Sequence, residues 1–187
     1  GGFTGGWNLP RSYFPEKVSG VDYSFGLFVL GGYLRAVCRY AELTGDKDAL
    51  ELARKMVNTL RRPEFWKGQT DRAIGTTNFE HFFVMALRGM LDYAELVNDA
   101  ELKQFVRTGY EYARGWGIPE LGWWPQECDD KYTWTEYDNM TAMAALAVKL
   151  SEAGVGDYWE DVDCYVRNQM VESQLVDKDQ LEKSVAA

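Results

Sequence analysis

Three acidic residues recur in the same local pattern at a fixed spacing. They are the last residues of Ser19-x-x-Asp22, Thr77-x-x-Glu80 and Thr135-x-x-Asp138, and successive acids lie 58 residues apart. Each pattern precedes an apolar run, and in that position it is typical of the capping box that begins a helix. The same carboxylates could instead carry out acid–base chemistry. The spacing predicts a repeated unit with an acid at its mouth.

The third acid lies in a stretch that combines carboxylates with large flat rings. Residues 122–138 contain Trp123, Trp124 and Trp134 together with Glu136 and Asp138. Sugars need this mixture, because their C–H faces stack on indole rings and their hydroxyls bind carboxylates. The rings could equally form a small core beneath the loops, because aromatic residues dominate cores as well as sites. Further rings expected at the same end are Trp7, Tyr23, Phe65, Trp66, Phe79 and Tyr137.

The position of each acid suggests a catalytic role. A carboxylate at a helix N-terminus stays ionised because the helix dipole favours the anion. Asp138 is therefore the first candidate for a general base, and Glu80 is the second. A general acid must keep its proton near neutral pH, which requires apolar surroundings. Glu136, between Trp134 and Tyr137, is the candidate for that role.

Two basic side chains near Glu80 suit an acidic sugar. His81 is the only histidine of the chain and directly follows Glu80. Its pKa range and its position would suit binding of such a ligand. Arg72, in the preceding loop, could pair with a uronate carboxylate. The alternatives are a structural histidine and a solvated surface arginine.

Turn and helix signals divide the chain into pairs of helices. Tyr40-Ala-Glu-Leu recurs as Tyr93-Ala-Glu-Leu, and each copy is followed by a Gly or Asn and then an Asp. Gly or Asn favours a left-handed helix stop, and Asp favours the next N-cap. Helical periodicity then predicts six helices. Their expected ranges are 21–44, 47–62, 79–97, 99–115, 136–153 and 157–173, and a further segment near 178–186 could begin another unit.

The lengths of the connections predict how the helices are arranged. Connections within a pair are short and those between pairs are long, which is typical of antiparallel helical hairpins. The first, third and fifth helices then begin at the same end, where the acids and the long loops gather. These three helices are rich in small residues, so we expect an inner ring backed by an outer ring. Residues 1–187 form one such domain or part of a larger one, because Gly1–Trp7 is typical of an internal stretch.

Composition excludes several classes of function. The net charge of −9 disfavours binding to a nucleic acid backbone. The sequence has no apolar run long enough to predict a membrane-spanning helix. Three widely spaced cysteines predict no disulfide framework. A single histidine and the absence of a CxxC pair disfavour a zinc site, so we expect neither a metal nor a cofactor. The compartment remains open between a bacterial cytoplasm, the periplasm and secretion.

The helical repeats resemble those of bacterial α/α-toroid carbohydrate-active proteins, particularly glucuronidase-like glycoside hydrolases and unsaturated uronyl hydrolases. Residues 40–53, 86–96 and 146–159 carry the resemblance, together with Val166-Arg-Asn168. The resemblance implies a six-hairpin ring with an active site in its hollow, served here by Glu80, His81, Glu136 and Asp138. Only three hairpins are expected, about half of a ring. Such a half could be an open solenoid, a fragment with a missing segment, or one part of a ring that another chain completes.

These observations favour hydrolysis of glycosidic bonds in an acidic or plant-type polysaccharide, by carboxylate acid–base catalysis without a metal. A polysaccharide lyase on a similar toroid is the first alternative, for which Tyr23, Arg72 and His81 would matter. A helical-repeat scaffold that binds protein partners is the second. A concave surface without a deep acidic pocket would favour that scaffold.

Overall fold

The chain is all-α over the residues that the computed structural model describes, which are 23–62, 66, 81–126, 134–174, 176–179 and 183. Side chains are described from Leu30 in the first helix and from Phe82 in the third. The helices are α1 (Tyr23–Thr44), α2 (Lys47–Leu60), α3 (His81–Val97), α4 (Ala100–Arg114), α5 (Tyr137–Glu152) and α6 (Trp159–Cys164). A 3₁₀ turn at Pro119–Leu121 precedes α5, and a π-helix at Tyr165–Val171 continues α6. Over the same residues the only β pairing is an isolated antiparallel bridge between Ile118 and Trp123.

The predicted turn chemistry is confirmed at the first two helix pairs. Gly45 and Asn98 have positive φ angles of 69° and 55°. Asp46 accepts hydrogen bonds from the backbone N–H groups of the first turn of α2, at 2.8 and 3.1 Å. Asp99 accepts one from Leu102 N at 2.9 Å. Local sequence therefore sets where α1 and α3 stop and where α2 and α4 begin.

The third pair differs from its expected form. We expected one helix over 157–173, but α6 is short and becomes a π-helix at Tyr165. The change coincides with a close backbone contact. Gly122, with φ of 64°, lies so near Cys164 that a Cβ atom would overlap the Cys164 carbonyl group. The loop before α5 is thus packed directly onto the end of α6. The predicted segment near 178–186 lies largely outside the described residues.

Helix α3 lies at the centre of the helix packing. It packs against α1, α4 and α5, and each odd-numbered helix also packs against the helix that follows it in the chain. The shared core contains fully buried side chains from five of the helices, including Leu34, Leu60, Leu87, Leu102 and Leu146. Gly31 contacts Ala86, and further along both helices Arg35 pairs with Asp92, so α1 and α3 run in the same direction.

Small residues let α1 and α3 approach until their backbones touch. A Cβ atom on Gly31 would lie 2.6 Å from Ala86 Cα, and one on Gly89 would lie 2.8 Å from the Gly31 carbonyl oxygen. No side chain separates the two helices at this level. The seam formed by Gly31, Ala86 and Gly89 therefore fixes how closely the two helices lie. Gly32, one residue further along α1, is exposed and has no neighbour within 4 Å of that position.

A buried polar group joins α6 to α4. Asp161 is only 4% exposed. It accepts a hydrogen bond from the Tyr110 hydroxyl at 2.8 Å and two from the Arg114 guanidinium, at 2.6 and 3.0 Å. Burial raises the pKa of Tyr110, and the hydrogen bond to Asp161 raises the pKa of Arg114. The Tyr110 hydroxyl thus stays protonated and Arg114 stays charged, so the network is fully paired around the carboxylate.

Alanine substitutions at two neighbouring glycines should change the free energy of unfolding in opposite directions. Gly31→Ala should lower the free energy of unfolding by about 1–3 kcal/mol, because the new methyl group forces the two backbones apart. Gly32→Ala should raise it by about 0.5–1 kcal/mol, because alanine is the better helix former at an open position. Urea denaturation of both variants measures the difference. Equal changes in the two variants would show that α1 and α3 are not in close contact.

The buried network predicts a similar contrast within α6. Asp161→Asn should cost about 2–4 kcal/mol of unfolding free energy, because it leaves Arg114 without its buried partner charge. Asp163→Asn is the matched control, since Asp163 forms only an exposed ion pair with Arg167. Its cost should stay within about 0.5 kcal/mol. Thermal unfolding followed by circular dichroism checks both, and a tolerated Asp161→Asn would contradict the network.

Candidate functional site

A buried asparagine organises the N-terminal end of α5 together with the loop residues around it, a region called here the mouth of α5. Asn139 is fully buried, and its amide donates to the backbone oxygens of Pro125 and Gln126 at 3.1 and 3.0 Å. It also lies 2.9 Å from Gln126 Oε1. Gln126 N in turn donates to Trp134 O at 3.0 Å. These bonds fix both described ends of the loop before α5 against the first turn of the helix.

The predicted carboxylates of this loop are exposed at the start of α5. Glu136 is the N-cap residue and Asp138 lies in the first turn. The capping box expected from Thr135 and Asp138 does not form. Thr135 Oγ1 donates to Glu136 O, and Asp138 Oδ1 accepts from the adjacent Asn139 N–H at 2.8 Å. The helix begins two residues after Thr135, because the bonds of Asn139 and Gln126 set its first turn.

Two aromatic rings accompany these acids at the surface. Trp134 is 51% exposed and Tyr137 is 46% exposed. Rings and carboxylates therefore alternate over residues 134–138 at the positive end of the α5 dipole. This arrangement can stack against an apolar face and accept hydrogen bonds from hydroxyl groups. It leaves Glu136 open to solvent, so the described residues do not supply the apolar enclosure that a general acid requires.

Two of the predicted sugar-stacking indoles lie in the core. Trp124 is fully buried, and its indole N–H donates to Ala113 O at 2.8 Å. Trp66 is also buried, its N–H donates to Leu60 O, and its ring packs edge-on against Phe83 and Phe105. Both rings close the ends of outer helices rather than offering a face to a ligand. The structure therefore assigns these two indoles to packing, which is the alternative weighed from the sequence.

The remaining predicted site residues divide between the edge of this region and residues outside the description. Trp123 is half-buried and pairs with Ile118 through its backbone. Tyr23 and His81 are the first residues of α1 and α3, but their side chains lie outside the described residues. Trp7, Arg72 and Glu80 also lie outside them. The structure thus brings together Trp134, Glu136, Tyr137 and Asp138, while the partnership of Glu80 and His81 with them stays a prediction.

A groove occupies the opposite half of the three inner helices. It has a volume of about 740 Å³ and is lined by the C-terminal halves of α1 and α3 and by the last turns of α5. Its basic lining residues are Arg35, Arg39, Arg88 and Lys149, and its acidic ones are Glu42, Asp92 and Glu95. The volume is that of a pocket for a small molecule. A surplus of one positive charge distinguishes it from a chain whose net charge is −9.

A line of ion pairs crosses this groove from helix to helix. Arg35 Nε lies 3.3 Å from Asp92 Oδ2, and Lys149 Nζ lies 3.6 Å from Asp92 Oδ1. The three residues are spaced by 57 along the chain and occupy equivalent positions on α1, α3 and α5. Lys149 also pairs with Glu95 at 3.1 Å. Asp92 thus joins all three inner helices at one level.

Sequence reasoning missed this groove, although a signal was present. The spacing of Arg35, Asp92 and Lys149 nearly equals the repeat of the acids, but the three residues differ in type and sign. A search for recurring identical residues passes over them, whereas a search for complementary charge at the repeat spacing would find them. The sequence repeat therefore places charges of alternating sign at the corresponding positions of α1, α3 and α5, which cross the groove.

Within the described part of the chain, no group of histidines, cysteines and acids could hold a metal ion. None of the described helices is both long and apolar enough to cross a membrane. Comparison with protein-family models, with curated proteins and with solved structures finds no match to this chain. The case for a function therefore depends on the residues themselves.

Cys38, a buried residue that lines the groove, should react slowly with alkylating reagents. Burial, reinforced by the negative charge of Asp92, raises the pKa of Cys38 from 9.0 to about 12. At pH 8 its thiolate population, and with it the rate of alkylation, should fall about 1000-fold below that of an ordinary thiol. Iodoacetamide labelling with peptide mapping should therefore modify the less buried Cys164 before Cys38.

Denaturant supplies the control for this prediction, because both thiols should then react at similar rates. Native labelling of Cys38 as fast as that of Cys164 would show that α1 does not bury its cysteine against α3.

Proposed function

We propose that this chain is a carbohydrate-active protein that hydrolyses glycosidic bonds at the mouth of α5. The observation that supports the proposal most directly is the exposed sequence of ring, acid, ring, acid formed by Trp134, Glu136, Tyr137 and Asp138. Exposed indole and phenol faces carry a free-energy cost in water, which a bound sugar face would relieve. Ionised carboxylates between them would hold the hydroxyls and act on the glycosidic bond.

In this proposal Asp138 activates the attacking water and Glu136 donates the proton to the leaving group. Asp138 lies in the first turn of α5, at the positive end of the helix dipole. Glu136 needs an enclosure that raises its affinity for the proton, and bound substrate together with Trp134 would provide it. Glu80 and His81 would complete the site from the neighbouring inner helix.

We further propose that the six helices form part of an α/α toroid. A stripe of exposed apolar residues on α1 supports this arrangement. Tyr33 and Tyr40 are each 53% exposed and Leu43 is 68% exposed, and their spacing places them on one face of the helix. A further hairpin, from another chain or from a missing segment, would cover this face in a closed ring. The carbohydrate would then lie in the shared hollow.

A binding scaffold is the second candidate, and the groove favours it. Its lining contains more basic than acidic side chains, so it is not the acidic pocket that a retaining or inverting pair of carboxylates would form. In this alternative the concave face binds a partner without chemistry, and the polysaccharide lyase remains a third possibility.

Hydrolysis predicts a clear effect of Glu136→Gln. The rate of sugar release from a panel of acidic and plant polysaccharides should fall at least about 100-fold, which is typical of losing a general acid. The melting temperature should stay unchanged, because Glu136 makes no side-chain capping bond. Reducing-end assays and differential scanning calorimetry measure the two quantities.

Glu152→Gln is the matched control, since Glu152 is also exposed but lies at the far end of α5. It should keep full activity. Equal activity of the Glu136→Gln variant and the parent protein would overturn the assigned role. A product that absorbs as an unsaturated uronide would identify a lyase, and the absence of any product across the panel would favour the scaffold.

A further inference from the structure

We infer that the groove between α1, α3 and α5 is a binding site for a small molecule that carries an oxyanion, either a carboxylate or a phosphate, with Arg88 as its anchor. This site stands apart from the mouth of α5. Asp138 and Lys149 lie on the same side of α5 but eleven residues apart, which is about 16 Å at the rise of a helix. The inference therefore does not depend on glycosidic chemistry.

The basic side chains that line the groove outnumber the acidic ones that could pair with them. Arg39 pairs with Glu42 at 2.7 Å, and the ion pairs of Asp92 and Glu95 account for Arg35 and Lys149. Arg88 alone among the four basic lining residues forms no ion pair with any described residue. Both carboxylate oxygens of Asp92, the nearest acid along α3, are already engaged by other cations. One positive charge is thus left for a ligand.

Arg88 also carries an unsatisfied hydrogen-bond donor. Arg88 Nε is buried and has no acceptor within the described part of the chain. A buried donor without a partner is costly, and such groups in native structures usually have an explanation. The Nε and Nη2 groups form the edge of the guanidinium that grips a carboxylate or phosphate with two parallel hydrogen bonds. Arg88 lines the groove, so an oxyanion bound there would meet this guanidinium.

The charges around Arg88 favour an anion beside it. The pKa of Arg88 is lowered, first by burial and then by the neighbouring charge of Arg35. Two arginine charges are therefore held close together against their mutual repulsion. An anion placed between them would relieve that repulsion, and the low dielectric of the groove would strengthen the attraction. Glu42 and Glu95 are already paired with Arg39 and Lys149, so neither acid neutralises Arg88.

Calorimetric titration of the full chain tests this inference. The probes are inorganic phosphate and citrate, with glucose as the uncharged control, in a buffer of low ionic strength that limits screening. We expect saturable binding of at least one anion and none of glucose. Arg88→Met should weaken that binding about 10- to 100-fold, because it removes a bidentate charged contact. Phosphate and citrate together identify which oxyanion the groove prefers.

Two further variants sharpen the outcome. Arg54→Gln removes an exposed arginine of α2 that pairs with Glu51, and it should leave binding unchanged. Asp92→Asn removes a competing negative charge from the groove and should strengthen binding several-fold. The Arg88→Met protein should unfold at the same temperature as the parent or higher, because Arg88 forms no hydrogen bond or ion pair with any described residue.

Each possible result of these titrations either supports the site or overturns it. Loss of binding in Arg88→Met with an unchanged Arg54→Gln supports the site. Equal losses in both variants would show diffuse attraction to surface charge and overturn it. Absence of saturable binding of either anion, or equal binding by Arg88→Met and the parent protein, would also overturn it.

Discussion

The contact between the backbones of α1 and α3 is the constraint on which the rest of the structure depends. Because Gly31 and Gly89 have no side chains, the two helices meet at the Ala86 backbone, and their separation is fixed by main-chain atoms rather than by adaptable side chains. That separation brings Arg35 to within 3.3 Å of Asp92 and buries Cys38 between them. The shape and the charge of the groove follow from this seam.

The inner face of the three odd-numbered helices carries two different chemistries. At the start of α5, exposed rings and acids lie at the positive end of a helix dipole, which suits polyhydroxyl ligands. Along the C-terminal halves of α1 and α3, basic side chains exceed the acids, which suits an anion. Asn139 fixes the loop before α5 and Asp161 joins α6 to α4, each through buried hydrogen bonds. A ligand that spanned both regions would need a polyhydroxyl part and an anionic part.

Local signals predicted most of the fold. Asp46 and Asp99 cap α2 and α4 as their positions indicated, because capping depends on neighbours within one turn. The ends of α6 and the burial of Trp66 and Trp124 were not predictable in the same way, because they depend on contacts between segments far apart in the chain. The exposed acids at α5 were predicted from a local pattern, but their failure to form a capping box follows from Asn139 and a loop thirteen residues away.

Nuclear magnetic resonance of the indole N–H groups during titration with oligosaccharides tests the central claim most directly, because Trp134 is exposed while Trp66 and Trp124 are buried in the same protein. Fragments of acidic and plant polysaccharides serve as ligands, and Trp134→Phe identifies the resonance. We expect the Trp134 signal to shift in a saturable way, while the chemical shifts of the two buried indole N–H groups stay unchanged. A Trp134 signal that does not move with any fragment, or that moves no more than the buried ones, would contradict a carbohydrate site at the mouth of α5.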